Sequence, residues 1–221
     1  ILGGGQAAAY AAKEIRSIDK NSIITIVSEE KYLPYEKPPL SKDYILDKVV
    51  FKDLLFFSES FYKENNINFI GSIKITKVDF DNKIISSSLN TYEYDKLLIT
   101  TGCSNRHLKI NGEIILPEEN IIYLRSFEES NNLKNKIDKA NNITIIGGGF
   151  IGLEIASSAL QKGKSVTILE KGEQLMGRVI PKQIANLILE KHESEGTKIN
   201  LNTEIKNIKK HNKTFRIHLN T

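Results

Sequence analysis

Gly147-Gly148-Gly149-Phe150-Ile151-Gly152 decides the fold of this chain because of what stands on either side of it. Ile143-Thr144-Ile145-Ile146 leads in as an apolar strand, Leu153 to Leu160 has helical spacing, and Gly163 stops the helix. Ser165-Val166-Thr167-Ile168-Leu169 then reads as a second strand ending at Glu170. In such a strand, turn and helix the first glycine permits the tight turn and the second lets the backbone approach a pyrophosphate. The third lets the helix pack close on the strand, and free N–H groups at the helix start face the phosphates. Glu170 stands roughly twenty residues past the turn, where a carboxylate accepts hydrogen bonds from an adenosine ribose.

The same plan recurs upstream. Ile1-Leu2 precedes Gly3-Gly4-Gly5-Gln6-Ala7-Ala8, with Ala8 as the third small residue, and a helix over Ala7 to Ile15 leads to a strand over Ile23 to Val27, then Glu29 and Glu30. One G-x-G-x-x-G is a weak signal, whereas two in the same setting imply two bound dinucleotides. The fold class that follows is α/β, with two Rossmann-like dinucleotide-binding domains built by duplication of a βαβ unit.

A length of 221 residues has room for about two domains. Hydrophobic residues at 40% and charged residues at 26% are an ordinary globular balance. The net charge of +4 comes from lysines spread along the chain, so it reads as solvated surface and no nucleic-acid partner is expected. No apolar run is long enough to span a bilayer and no charged-then-apolar leader opens the chain, so the expectation is a soluble cytoplasmic protein with no membrane span. Cys103 is the single cysteine, which rules out an internal disulfide. His107, His192, His211 and His218 show no ligand spacing, so no metal site is expected. The chain starts inside a strand-like run, its one methionine is Met176, and it closes on the alternating run Thr214 to Leu219. The expectation is a piece of a longer polypeptide.

Between the two βαβ units, short runs at Ile67 to Ile70, Ile73 to Val78, Lys83 to Ser86 and Leu97 to Thr100, with turn residues Asp81-Asn82 and Leu89-Asn90, suggest an antiparallel β-meander. Cys103 to Pro117 reads as a connector and Phe127 to Lys139 as a helix. The expected domains are 1–108 and 109–221. The aromatics Phe51, Phe56, Phe57, Phe61 and Tyr62 read as core or as a docking surface for a neighbouring segment, with cover for part of a cofactor cleft as the alternative.

Tyr32-Leu33-Pro34-Tyr35-Glu36-Lys37-Pro38-Pro39-Leu40-Ser41-Lys42 closely resembles the flavin-side segment of the FAD-dependent pyridine nucleotide oxidoreductases, in their ferredoxin/rubredoxin reductase and apoptosis-inducing-factor branch. The resemblance continues through Thr101-Gly102 with Arg106, Tyr123-Leu124-Arg125, Gly147 to Glu154, and Leu175-Met176-Gly177-Arg178 with Pro181 and His192. Sister disulfide reductases carry a redox Cys-x4-Cys where this chain has Pro-Pro-Leu-Ser-Lys. The resemblance therefore implies electrons leaving directly from reduced flavin.

It further implies that 1–108 is an incomplete FAD-binding domain and that 109–221 is a C-terminally truncated NAD(P)-binding domain inserted into it. Gly3, Gly5, Gln6 and Ala7 would line the FAD pyrophosphate and Glu29 would take the ribose hydroxyls, with Glu30 beside it. Ile75 would meet the adenine end, and Arg106 would reach the cofactor from the Thr-Gly turn. Lys37 stands where the family usually has an arginine; it keeps the charge and loses the bidentate fork. Gly147, Gly148, Gly149, Phe150, Ile151 and Gly152 would form the NAD turn and Glu170 would bind its ribose. The carboxylate favours NAD(H) over NADP(H), with Lys171 and Arg178 as cations within reach of an added phosphate. Lys42 and Glu154 would pair beside the reactive edge of the flavin as the catalytic residues.

The reaction implied is transfer of a hydride from NADH to FAD, then electrons to a ferredoxin- or rubredoxin-like acceptor. The alternatives are a slow, redox-responsive signalling flavoprotein resembling apoptosis-inducing factor, or a reductase of oxygen, quinone or ascorbate radical. The fragment alone is expected to be inactive.

Overall fold

A computed structural model describes residues 1–177, 179–212 and 214–220. The chain divides into two compact units, one of residues 1–37 and 50–104, the other of residues 38–49 and 105–221. The division differs from the sequence expectation chiefly at 38–49, a segment that follows the first βαβ unit in sequence yet packs with the second.

In the first unit, helix α1 (Gln6–Ile18) leads to strand β1 (Ile24–Val27), helix α2 (Glu59–Glu64) and strand β2 (Ile67–Ile70). Strands β1 and β2 pair in parallel, and Leu2 bridges in parallel to both Val27 and Ile99. The spatial order β2, β1, Leu2, Ile99 is that of a Rossmann half-sheet. Ala8, Ala9 and Ala12 are fully buried, so α1 lies close on the sheet, in a core with Ile24, Ile26, Tyr62 and Ile67. Phe57 and Phe61 pack against this core beside Tyr62, as the core reading expects for these three of the five aromatics.

The meander is smaller than expected. It comprises β3 (Lys77–Asp79), β4 (Ile84–Ser86) and β5 (Thr91–Glu93), all antiparallel. Ile67 to Ile70 is not part of it, because α2, capped by the Ser58 hydroxyl on the Phe61 N–H, brings the chain back parallel to β1. Residues 73–76 are irregular, and of Leu97 to Thr100 only Ile99 bridges, again in parallel.

In the second unit, a short antiparallel hairpin of β6 (Lys109–Ile110) and β7 (Glu113–Ile114) lies in the expected connector. Helix α3 (Phe127–Lys139) follows, with a capping box in which Ser126 and Glu129 satisfy each other's backbone N–H groups. Strand β8 (Asn142–Ile146), helix α4 (Phe150–Gln161) and strand β9 (Ser165–Leu169) form the βαβ unit read from the glycine turn, and Gly163 takes φ +74° where α4 ends. Helix α5 (Lys182–Ser194) and strand β10 (Lys198–Asn200) complete a parallel sheet of order β10, β9, β8. The hairpin β11 (Glu204–His211) and β12 (Thr214–Asn220) follows. The core gathers Ile137, Leu153, Ile155, Ala156, Val166 and Ile168, with Ile45 from the 38–49 segment. Among the described residues, no helix is long and apolar enough to cross a membrane.

Candidate functional site

Each glycine turn can be tested by asking what a side chain would strike. In the first, Gly3 has φ +107° and a Cβ there would lie 2.3 Å from the Thr100 carbonyl oxygen, while one at Gly4 would lie 2.4 Å from Ser28 Oγ. In the second, Gly147 has φ +103°, a Cβ on Gly148 would meet Leu175 Cδ2 at 2.5 Å, and one on Gly152 would meet the Gly147 oxygen at 2.3 Å. Gly152 is therefore the residue that lets α4 approach β8, as the third glycine of the motif requires. Gly5 and Gly149, the N-caps of α1 and α4, have no described atom within 4 Å of an added Cβ.

Both helix starts lack a side-chain cap and an acidic residue in the first turn. The first N–H groups of a helix have no intrahelical partner, so these two open termini present donors and positive dipole ends. The residues present fit a dinucleotide pyrophosphate at either turn.

Glu170 is bound into the second turn. Its Oε2 accepts from the Gly148 N–H at 2.6 Å and its Oε1 from the Gly172 N–H at 2.6 Å. An ionised carboxylate has about four lone-pair sites, so capacity for ribose hydroxyls remains. Leu175 is fully buried over Gly148, and the Met176 N–H donates to the Gly148 oxygen at 3.0 Å from a backbone with φ +50°. These two contacts place Leu175 and Met176 against the glycine turn. Arg178 lies outside the described residues.

In the first unit the expected residues form two groups. Glu29, exposed, accepts from Lys74 Nζ at 2.9 Å, next to half-buried Ile75. Glu30 accepts from the buried Tyr35 hydroxyl at 2.5 Å and from Lys37 Nζ at 2.7 Å, and Lys37 also lies over the Tyr35 ring. Lys74 carries no motif signal and Tyr35 stands in the quoted string with no role assigned to it; the contacts of both emerge only from the fold. Arg106 is exposed and belongs to the second unit, as does Lys42. Cys103 is exposed and free.

The Pro38–Ser41 turn, a single 3₁₀ turn, places Lys42 against α4. Lys42 Nζ lies 3.1 Å from Glu154 Oε1, and Ser41 Oγ donates to Glu154 Oε2 at 2.5 Å. The segment is tied down by Ser130 Oγ on the Leu40 oxygen at 2.6 Å, Ser158 Oγ on the Ser41 oxygen at 2.8 Å, and Tyr44 on Asn131 at 3.0 Å. Asp47 accepts from both Lys134 and Lys162, and Lys162 also pairs with Asp138. Hydrogen bonds from Lys134 and then Lys162 hold the Asp47 carboxyl below its ordinary value. Ser41 is a residue that motif reading passed over, although it stands beside Lys42 in the quoted string.

Two nucleotide-type glycine turns, each on a parallel Rossmann-like sheet, define the class of this molecule. The chain belongs to the family described as Pyridine nucleotide-disulphide oxidoreductase, whose profile matches residues 1–221. It is 34% identical over 213 residues to a rubredoxin-NAD(+) reductase of Pseudomonas putida, covering 96% of this chain and 54% of that one. It is 33% identical over 222 residues to a 3-phenylpropionate/cinnamic acid dioxygenase ferredoxin--NAD(+) reductase component of Photorhabdus laumondii, covering 100% and 55%. Among solved structures, a ferredoxin reductase from Rhodopseudomonas palustris matches with a TM-score of 0.89 at 29% identity, over 99% of this chain and 54% of that one. The chain thus spans about half the length of these relatives.

Proposed function

We propose that this chain supplies the dinucleotide-binding part of a flavoprotein reductase that passes a hydride from NADH to FAD and electrons onward to a ferredoxin- or rubredoxin-like protein. The observation that carries the reading is the pair of open, uncapped helix starts behind Gly3–Ala8 and Gly147–Gly152. FAD, when bound, supplies the chemistry that accepts two electrons as a hydride and releases them one at a time.

The protein's own residues bind and orient. Gly3, Gly5, Gln6 and Ala7 would hold the FAD pyrophosphate, with Glu29, Glu30, Lys37, Ile75 and Arg106 completing that set. Gly147 to Gly152 and Glu170 would hold the nicotinamide dinucleotide, and the Glu170 carboxylate disfavours a 2′-phosphate beside it. Lys42 and Glu154 are, respectively, 43% and 30% exposed, and a pair this wet contributes at most about 1 kcal/mol to stability. Its value lies in electrostatics: the Lys42 ammonium offers positive charge where negative charge develops during reduction, and Glu154 orients it.

The relatives, named as reductases of rubredoxin or of a dioxygenase's ferredoxin, support the reductase reading over a signalling role. A cytoplasmic location is part of the proposal, supported by a sequence with one cysteine.

The test is anaerobic stopped-flow reduction of the FAD-loaded full-length protein by NADH. Lys42→Ala should lower the limiting rate by about ten- to a hundredfold. An unchanged rate removes the role given to Lys42, and failure of the purified protein to hold flavin overturns the function itself.

A further inference from the structure

We propose that Ser41 is the positioning residue of the Lys42–Glu154 pair, fixing the carboxylate plane so that Oε1 faces the lysine; the inference rests on the function proposed above. Glu154 and Ser158 are one turn apart on α4 and therefore share a face. Ser41 is gripped from that face at two points. Its carbonyl accepts from Ser158 Oγ at 2.8 Å and its hydroxyl donates to Glu154 Oε2 at 2.5 Å.

The grip is rigid because its anchors are dry. Ser41 is 4% exposed, Ser158 2%, and Ser130, which holds the neighbouring Leu40 carbonyl, 0%. A serine hydroxyl has one proton to give. The Pro38 oxygen lies at 3.3 Å, so the short bond to the carboxylate takes it.

Rotation of a carboxylate about its last torsion is soft and broadly two-fold. With Lys42 as the sole donor, Glu154 would swing about one oxygen. A second donor on the other oxygen removes that freedom and leaves Lys42 with one preferred position. The cavity beside the pair, about 260 Å³, is also lined by Asp43, Lys48 and Gln161, so the pair borders open space and Ser41 fixes the carboxylate from its packed side.

Two double-mutant cycles on Ser41→Ala and Glu154→Ala in the full-length protein test this. In NADH reduction of the FAD-loaded protein, Ser41→Ala should lower the limiting rate roughly five- to tenfold with the half-saturating NADH concentration unchanged, and should change nothing further once Glu154 is alanine. In denaturant unfolding, which needs no turnover, the same pair should show a coupling of about three- to tenfold in the unfolding constant. Independent, multiplicative effects in both cycles overturn the proposal. If the parent protein is not reduced by NADH, the proposed function fails, while the unfolding cycle still decides whether Ser41 holds Glu154.

Discussion

Gly152→Ala sets a steric contact against a measured loss. A Cβ at this position would stand 2.3 Å from the Gly147 oxygen and 3.3 Å from Ile145 Cγ2. The first contact is with backbone, so no side-chain rotation relieves it. To restore even 3.0 Å, α4 must withdraw from the turn by about 0.7 Å, and overpacking of this kind typically costs about 1–3 kcal/mol. Gly149→Ala is the matched control. Gly149 has φ −83°, ordinary for alanine, and no described atom stands within 4 Å of the added methyl. Loss of an N-cap glycine should cost the fold less than about 1 kcal/mol. The methyl would nevertheless occupy the space through which a pyrophosphate reaches the helix start. Urea unfolding and fluorescence titration with NADH should therefore separate the two variants. Gly152→Ala lowers stability and affinity together, and Gly149→Ala lowers affinity by roughly tenfold or more with little change in stability. Equal stability of Gly152→Ala and the parent, or a Gly149→Ala that loses stability in place of affinity, would refute the geometry assigned to the turn.

Three further outcomes are expected. The Tyr62 hydroxyl is buried with no hydrogen-bond partner among the described residues, and burial pushes its pKa up to about 12. Tyr62→Phe should thus be neutral or stabilising by up to about 1 kcal/mol in urea unfolding, and should remove one late-ionising tyrosine from an alkaline ultraviolet titration. Asp47, held below its ordinary value by Lys134 and Lys162, contributes stability that is present above about pH 4 and fades as pH falls through its lower folded value. It is 58% exposed, so Asp47→Asn should cost at most about 1 kcal/mol at neutral pH and flatten the acid limb of an unfolding-midpoint profile, a change absent if the clamp is incidental. Glu170→Gln should narrow the ratio of kcat/KM for NADH over NADPH. An unchanged ratio would show that the carboxylate does not select the cofactor.

What was legible in the sequence was local. The glycine turn before α4, the Gly163 stop, the strand to Leu169 and the capped helix from Phe127 to Lys139 all depend on contacts a few residues apart, and all stand where spacing puts them. The run Ile67 to Ile70 was legible as a strand but not in its direction. Alternation looks alike in parallel and antiparallel pairs, and only the α2 crossover distinguishes them. Glu170 was legible as an acid at the end of β9; its bonds to the Gly148 and Gly172 N–H groups were not, since the backbone they cap exists only after folding.

By itself the sequence determined two Rossmann-like turns, the family, and the absence of a redox dithiol, because those are properties of residue type at fixed short spacing. Tertiary structure alone decided that residues 38–49 join the second unit and that Ser41 joins the expected Lys42–Glu154 pair by donating to the other carboxylate oxygen. The reason is physical: the segment has no periodicity of its own, and its place is set by hydroxyls of α3 and α4 and by the ammonium groups of Lys134 in α3 and Lys162 just past α4, which hold its carbonyls and Asp47.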